Sequence, residues 1–244
     1  MEQLSVPCMA MDQRGCGHSE LGDPAEFSQE TLVEDIHNLL VRENVLAQKL
    51  IVLGHSLGGR IALAYAATYP EHVAALIMED MDIVPRPIAE APFQVMANDD
   101  KDVFDRQTDS LESAISNLKQ AGYPDSRIER WVTEGRIEKR DDGSWWSHVN
   151  PVFRKLCYQH VLSTSKGREN CQSIAASNHM KFPVHVLVAG KEGTVCHEDS
   201  LDEMMNILGD QLTIHRYPSA GHSIHSSETV QFLQTIKSII ADVS

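Results

Sequence analysis

The sequence predicts an α/β fold: a mostly parallel sheet with helices on both faces and a mainly helical insertion in its middle. Three observations carry that expectation. Short apolar runs alternate with helical periodicity over residues 50–78 and again over 184–240. A glycine-flanked serine, Gly54-His55-Ser56-Leu57-Gly58, stands at one of the strand-to-helix junctions. Between the two stretches the alternation lapses, from about residue 88 to 180, so the middle block reads as an insertion between two parts of one sheet.

The elements follow in order. Val6-Pro7-Cys8-Met9-Ala10-Met11 reads as a short buried strand that runs into the glycine-punctuated loop Asp12 to Ser19. Ser28 or Thr31 opens an amphipathic helix with Leu32, Ile36, Leu39 and Leu40 on one face. Leu50 to Leu53 is a continuous apolar strand, followed by a small-residue helix from Arg60 to Tyr69 that Pro70 ends. Ala74 to Met78 is the next strand and closes at Glu79-Asp80. In the insertion, Leu111, Ile115 and Leu118 mark a helix behind an Asp109/Glu112 capping box, and Asp141-Asp142-Gly143 marks a turn. All three tryptophans, Trp131, Trp145 and Trp146, lie in this block. Then come a strand from Val184 to Val188, a helix from about Asp199 to Leu208, a strand from Leu212 to Tyr217, and an amphipathic helix from about Ser227 to Ile240. The domain boundaries expected are 1–87 with 181–244 for the sheet and 88–180 for the insertion.

Composition narrows the function classes. The 244 residues are 42% hydrophobic and 23% charged, the mixture of a globular protein with a sizeable core. A net charge of −14 argues against nucleic acid and anionic membrane surfaces as partners. No apolar run approaches the ~20 residues that span a bilayer. The start Met1-Glu2-Gln3-Leu4-Ser5 has no basic region before an apolar stretch, so a cytoplasmic location is expected, or an organelle if a targeting segment was lost. Five cysteines, Cys8, Cys16, Cys157, Cys171 and Cys196, show no paired spacing and suit free, mostly buried thiols. The twelve histidines contain no HExxH, and His222 and His225 have no clear third ligand, so no metal is expected.

Gly54-His55-Ser56-Leu57-Gly58 fits G-x-S-x-G in the setting that gives the pattern meaning, after an apolar strand and before a helix. The flanking glycines are expected to admit a turn too tight for side chains. That turn lifts the Ser56 hydroxyl above the sheet at the positive end of the next helix. Gly17-His18-Ser19 repeats the tripeptide, but Leu21 replaces the closing glycine and no helix follows, so it reads as a loop.

From Asp12-Gln13-Arg14-Gly15 almost to the C-terminus the chain resembles the α/β-hydrolase family. The matching pieces are the loop Asp12 to Ser19, the elbow Gly54 to Gly59, Tyr69-Pro70-Glu71-His72-Val73, Ala189-Gly190, and Ala220-Gly221-His222-Ser223-Ile224-His225. The resemblance implies His222 as the general base, with His225 the competing choice. Many relatives carry the acid at a position that here is Gly193. A second group carries it one strand earlier, which the resemblance places at Asp80. Asp142-Gly143 and Asn150-Pro151 are similar to an element that accompanies that second group. Asp80 is therefore the acid expected, with Glu192 and Asp82 as alternatives. The Leu57 N–H is the expected oxyanion donor. In relatives a second donor lies on a loop upstream of the piece matching Asp12, and only eleven residues precede Asp12. The resemblance thus implies that the N-terminal strands and the second donor are absent from the chain.

Three functions follow from the resemblance. The first is a serine hydrolase that cleaves a small ester or thioester through an acyl-enzyme on Ser56, with no cofactor. In that reading the insertion walls the pocket, and His55, Trp131, Trp145, Trp146 and Phe153 are the pocket candidates. The second is a non-catalytic binding protein or inactive fragment of the same fold. The third keeps the triad for carbon–carbon bond hydrolysis or cofactor-free perhydrolysis. The partner expected is a small acyl substrate. The sequence does not specify the oligomeric state.

Overall fold

A computed structural model describes residues 4, 6–86, 104–177, 180–191 and 193–243. The chain forms two compact units, Met1–Met9 with Val33–Pro85 and Thr164–Ser244, and Ala10–Leu32 with Arg86–Ser163. Of the insertion expected over 88–180, residues 88–103, 178 and 179 lie outside the described residues.

The first unit is built on a parallel four-stranded sheet. Its strands are β1 (Leu50–His55), β2 (Val73–Glu79), β6 (Val184–Ala189) and β7 (Leu212–Tyr217), in the order β1-β2-β6-β7. Each pair is joined through a helical crossover, as parallel strands require. Alternate residues of β2 point to opposite faces, and Ala75, Leu76, Ile77 and Met78 are all fully buried, so both faces of this central strand are covered. On the Ala75 and Ile77 face the core includes Leu187, Ala189, Tyr217, Ile236 and Ile239. The last two come from the C-terminal helix α9 (Thr229–Val243), and Ile224 of the short helix α8 (Ile224–Ser227) joins them. Helix α2 (Leu57–Thr68) packs on β1, on β2 and on α6 (Lys166–Ala176). The contact with α6 is close. A Cβ at Gly167 would lie 1.8 Å from the Arg60 guanidinium, so glycine is needed there. Helix α7 (Glu198–Leu208) packs beside α6 and buries Leu201, Met204 and Leu208.

Helix α1 (Gln29–Arg42) crosses the boundary between the units. Ser28 caps it, its Oγ accepting from the Thr31 N–H at 3.0 Å, while Leu32 and Val33 are buried.

The second unit holds a small antiparallel sheet in the order β3-β5-β4, from Gln107–Thr108, Trp145–Ser147 and Ile137–Lys139. The Asp141-Asp142-Gly143 turn joins β4 to β5, with Gly143 at φ +88° and Asp142 Oδ1 accepting from the Ser144 N–H at 2.9 Å. Helices α3 (Leu111–Gln120) and α4 (Asp125–Thr133) close a core of Ala114, Leu118, Tyr123, Ile128 and Ile137. Helix α5 (Pro151–Cys157) starts at Asn150, whose Oδ1 accepts from the Val152 N–H at 3.0 Å, with proline in its preferred first position.

Four local expectations are corrected. Residues 6–11 form no strand: they lack regular structure and are largely exposed. No strand among the described residues pairs with them, and apolar residues alone do not make a strand without a ladder. The α3 cap is Ser110, not Asp109, its Oγ accepting from the Ser113 N–H at 3.1 Å. The insertion carries a three-stranded sheet as well as helices. The final helix starts at Thr229, because α8 takes Ser227.

The cysteines are free. Cys157, Cys171 and Cys196 are buried and Cys8 is exposed. No helix among the described residues is long and apolar enough to cross a membrane.

Candidate active site

Ser56 sits in the turn between β1 and α2 with φ +55° and ψ −126°, a conformation costly for a residue with a Cβ, on the order of 1–3 kcal/mol. The fold holds it there. The Ser56 N–H donates to the Glu79 carbonyl at 2.9 Å, and the Gly59 N–H donates to the Ser56 carbonyl at 2.8 Å. The glycines contribute unequally. A Cβ on Gly54 would lie 2.1 Å from the Gly58 carbonyl oxygen, whereas a Cβ on Gly58 would meet nothing within 4 Å. Gly59 is tight, with a Cβ contact of 3.1 Å to Met81 and 3.2 Å to the Gly54 oxygen. The close approach therefore rests on Gly54 and Gly59, and the expected need for glycine at position 58 is corrected.

Asp80 follows β2 with φ +43° and is fully buried. Its N–H donates to the Leu187 carbonyl at 2.8 Å, which ties the turn to β6. Its carboxylate accepts from the Ala189 N–H at 3.4 Å and the Val195 N–H at 3.2 Å. His222 lies on the loop from β7 to α8. Gly190 lets that loop approach β6, since a Cβ there would sit 2.6 Å from the Pro218 backbone. The Gly190 and Lys191 N–H groups both donate to the Ala220 carbonyl, at 3.2 and 3.0 Å.

These elements bring three sequence-predicted residues into a chain of hydrogen bonds. His222 Nδ1 is 2.7 Å from Asp80 Oδ2, and His222 Nε2 is 2.9 Å from Ser56 Oγ. An ionised carboxylate only accepts, so Nδ1 carries the proton and Nε2 presents its lone pair to the serine hydroxyl. The imidazole is one-third exposed, whereas the Asp80 carboxylate is wholly buried.

A second histidine–carboxylate pair stands beside the first and was not foreseen. Glu79, 1% exposed, accepts from the His225 N–H at 2.9 Å, and His225 Nδ1 lies 2.8 Å from the same oxygen. His225 lies in the first turn of α8, and this contact fixes the helix to the end of β2 on the Ala75/Ile77 face. His55 stands between the pairs. Its Nε2–H donates to the His222 carbonyl at 2.9 Å, and its ring is 4.6 Å from that of His222 and 5.2 Å from that of His225. Burial lowers the His55 pKa, with the two neighbouring histidines adding to the effect and Glu79 opposing it. A neutral ring with its proton on Nε2 holds the backbone of His222 in place. The signal available in the sequence was the adjacency of Glu79 to Asp80 at a strand end, where Glu79 closes β2 and Asp80 begins the positive-φ turn after it.

The remaining candidates lie elsewhere. Asp82 is 3% exposed and its Oδ1 is 3.5 Å from the Arg60 guanidinium and accepts from the Val84 N–H at 3.3 Å. Glu192 lies outside the described residues. Trp131 and Trp145 pack against the small core of the second unit, Trp131 edge-on to Tyr123 at 4.9 Å. Trp146 donates its indole N–H to the Gly17 carbonyl at 2.9 Å, and the Arg106 and Arg140 guanidiniums lie over its ring at 4.4 and 3.9 Å. Phe153 packs edge-on against Phe27. Burial pushes the Cys16 and Cys171 thiols up to about 12 and Cys157 well above its ordinary value, so none of these three is an activated thiolate. His18, Glu138 and His148 are close enough to share a metal ion.

The family model of the alpha/beta hydrolase fold matches residues 4–229. Over 246 aligned residues the chain is 22% identical to the sn-1-specific diacylglycerol lipase ABHD11 of Mus musculus, a match covering 96% of this chain and 71% of the mouse protein. Among solved structures it is similar to a marine microorganism esterase, with a TM-score of 0.65 at 18% identity over 93% of this chain and 82% of that one. A thioesterase domain from the curacin biosynthetic pathway gives a TM-score of 0.63 at 17% identity over 92% of this chain and 79% of that one.

Proposed function

The chain belongs to the α/β-hydrolase fold family, and from that premise we propose that it is a serine hydrolase that cleaves a small ester or thioester through an acyl-enzyme on Ser56. The observation that carries the reading is the continuous path Asp80–His222–Ser56, with contacts of 2.7 and 2.9 Å. Ser56 Oγ attacks the acyl carbon while His222 Nε2 takes its proton. Asp80 stays ionised, holds the imidazole in the tautomer that accepts at Nε2, and stabilises the imidazolium. The Leu57 N–H, in the first turn of α2 where an amide has no intrahelical acceptor, is a donor for the developing oxyanion. His222 then returns the proton to the leaving oxygen or sulfur, the alcohol or thiol departs, and water activated by His222 releases the acid. A carbonyl substrate accords with the lipase, esterase and thioesterase relatives.

The test is labelling of purified chain with a fluorophosphonate probe, alongside a Ser56→Ala variant. One adduct per chain, lost in the variant, is the expected result. Folded protein that takes no label would overturn the hydrolase reading in favour of a non-catalytic member of the fold. Turnover of paired oxygen-ester and thioester acyl series then assigns the leaving-group class.

A further inference from the structure

The Asp12–Ser19 loop contributes to a cluster of side chains that the Ser56 chemistry does not use. His18 Nε2 stands 3.6 Å from one oxygen of Glu138, and His148 Nε2 stands 3.3 Å from the other. The three donor atoms all lie within 4.8 Å of one another, and the two imidazoles meet edge to face at 4.6 Å. His148 Nε2 is buried and makes no hydrogen bond among the described residues. A nitrogen lone pair or N–H in that position is under-used, although a carboxylate and a second imidazole face it.

The separations suit a shared ion. Zinc with bonds of about 2.0–2.2 Å to nitrogen and oxygen in a tetrahedron sets its ligand atoms about 3.3–3.6 Å apart. A direct hydrogen bond between imidazole and carboxylate would draw the atoms to about 2.7–2.9 Å. The observed 3.3 and 3.6 Å are of that size and exceed the hydrogen bond; they run to the two different oxygens of Glu138, so the carboxylate turns to present one oxygen to a tetrahedral ion.

The backbone that carries the cluster is fixed independently of any ion. The Gly17 N–H donates to the His148 carbonyl at 3.3 Å, so His18 and His148 stand next to a direct backbone link. Arg106 Nη1 donates to the Ser19 carbonyl at 2.9 Å, its Nη2 donates to the Gly17 carbonyl, and the Trp146 indole donates to that same oxygen. The His18 N–H donates to the Asp12 carboxylate at 3.1 Å, which commits Asp12 to the loop. Glu138 stands on β4 directly across from Trp146 on β5. A site whose side chains leave a frame this constrained loses little freedom when it closes on an ion.

We propose that His18, Glu138 and His148 bind one divalent transition-metal ion of the zinc class, with solvent completing the coordination. Two imidazoles and one carboxylate suit zinc, cobalt and nickel, whereas calcium and magnesium take oxygen donors. The ion would clip the Asp12–Ser19 loop to the β4–β5 hairpin, joining segments far apart in the chain. This proposal does not depend on the hydrolase reading.

The experiment uses the whole chain, stripped with chelator and titrated with Zn²⁺ by calorimetry and with Co²⁺ by visible absorption. One equivalent of Zn²⁺ and an intense tetrahedral Co²⁺ spectrum that Zn²⁺ displaces are expected. Affinity should fall more than about a hundredfold in His148→Ala and Glu138→Gln, since even groups that only orient a ligand are worth ten- to a hundredfold. His18→Ala is the second variant, because its side chain is 60% exposed and its removal spares the fold. Far-UV circular dichroism confirms folding in each. His222→Ala and His215→Ala, which disrupt two other histidine groupings, should bind Zn²⁺ unchanged. The proposal is overturned by the absence of stoichiometric binding, by a purely octahedral Co²⁺ spectrum, or by binding that survives the cluster variants.

Discussion

The chain contains the tripeptide Gly-His-Ser three times; the third, 221–223, carries His222, and the first two, at 17–19 and 54–56, do different things. In each of these two, a side chain on the glycine would meet a close neighbour, a side chain at position 17 and backbone at position 54. A Cβ on Gly17 would lie 2.0 Å from the Asp12 carboxylate, and one on Gly54 would lie 2.1 Å from a backbone carbonyl. The serines part company. Ser19 Oγ turns back and donates to the Asp12 carbonyl at 2.8 Å, whereas Ser56, at positive φ, directs Oγ to His222. The histidines part as well. His55 donates to a backbone carbonyl and is half-buried, while His18 reaches out to Glu138. What separates the copies is their flanks. One lies between a strand and a helix that strain the serine, and the other lies in a loop held by Arg106 and Trp146. A motif's chemistry therefore belongs to the backbone that presents it.

The sharpest break between the copies should appear in rate. Asp80→Asn should lower hydrolysis of an activated aryl ester about 10⁴-fold, because the amide favours the wrong tautomer of His222. Ser19→Ala should leave that rate unchanged, as measured by steady-state kinetics on both variants. A large loss in Ser19→Ala would erase the distinction. Next in size is stability at the elbow. Gly54→Ala should cost about 3–5 kcal/mol in urea unfolding, since the contact is with backbone that cannot yield. Gly58→Ala should be neutral or stabilise by up to about 1 kcal/mol, as Ala replaces Gly in a helix with open space around it. Equal losses at both positions would refute the unequal roles assigned to the two glycines. Gly17→Ala should be milder, about 1–3 kcal/mol, because the clashing Asp12 group is the end of a side chain and the remaining cost is positive φ. Smallest is the loss of the Ser19 hydrogen bond in Ser19→Ala, about 0.5–1.5 kcal/mol by the same unfolding assay.

The sequence disclosed the parallel sheet because buried strands such as Leu50–Leu53 and Ala74–Met78 are unbroken apolar runs bounded by turn residues. It concealed the β3-β5-β4 sheet because strands of two and three residues, among them Glu138, Lys139 and Ser147, are too short to show a period. Residues 6–11 have the composition of a strand, but pairing is a property of neighbours and cannot be read from composition. Ser56 and His222 were legible from local motifs. Asp80 was legible as a carboxylate at a strand end, but Glu79 is one too, and what assigns each to its own histidine is that Glu79 closes β2 while Asp80 sits in the positive-φ turn after it. The cluster of His18, Glu138 and His148 had no sequence signature, because its members come from three separate segments.

The hydrogen-bonded path at Ser56 also has a chronology. Ser56 and Asp80 belong to one local β1–α2–β2 unit, but His222 stands 166 positions from Ser56 and 142 from Asp80 along the chain. Local units close quickly, whereas distant pairings wait on the chain between them, at an entropic cost that grows only slowly with its length. During refolding the strained elbow should therefore form before the base that can activate it, with His222 arriving only when β6, β7 and α8 dock. Until then the serine is held in place but is chemically inert, so the order of assembly withholds reactivity from a half-made protein.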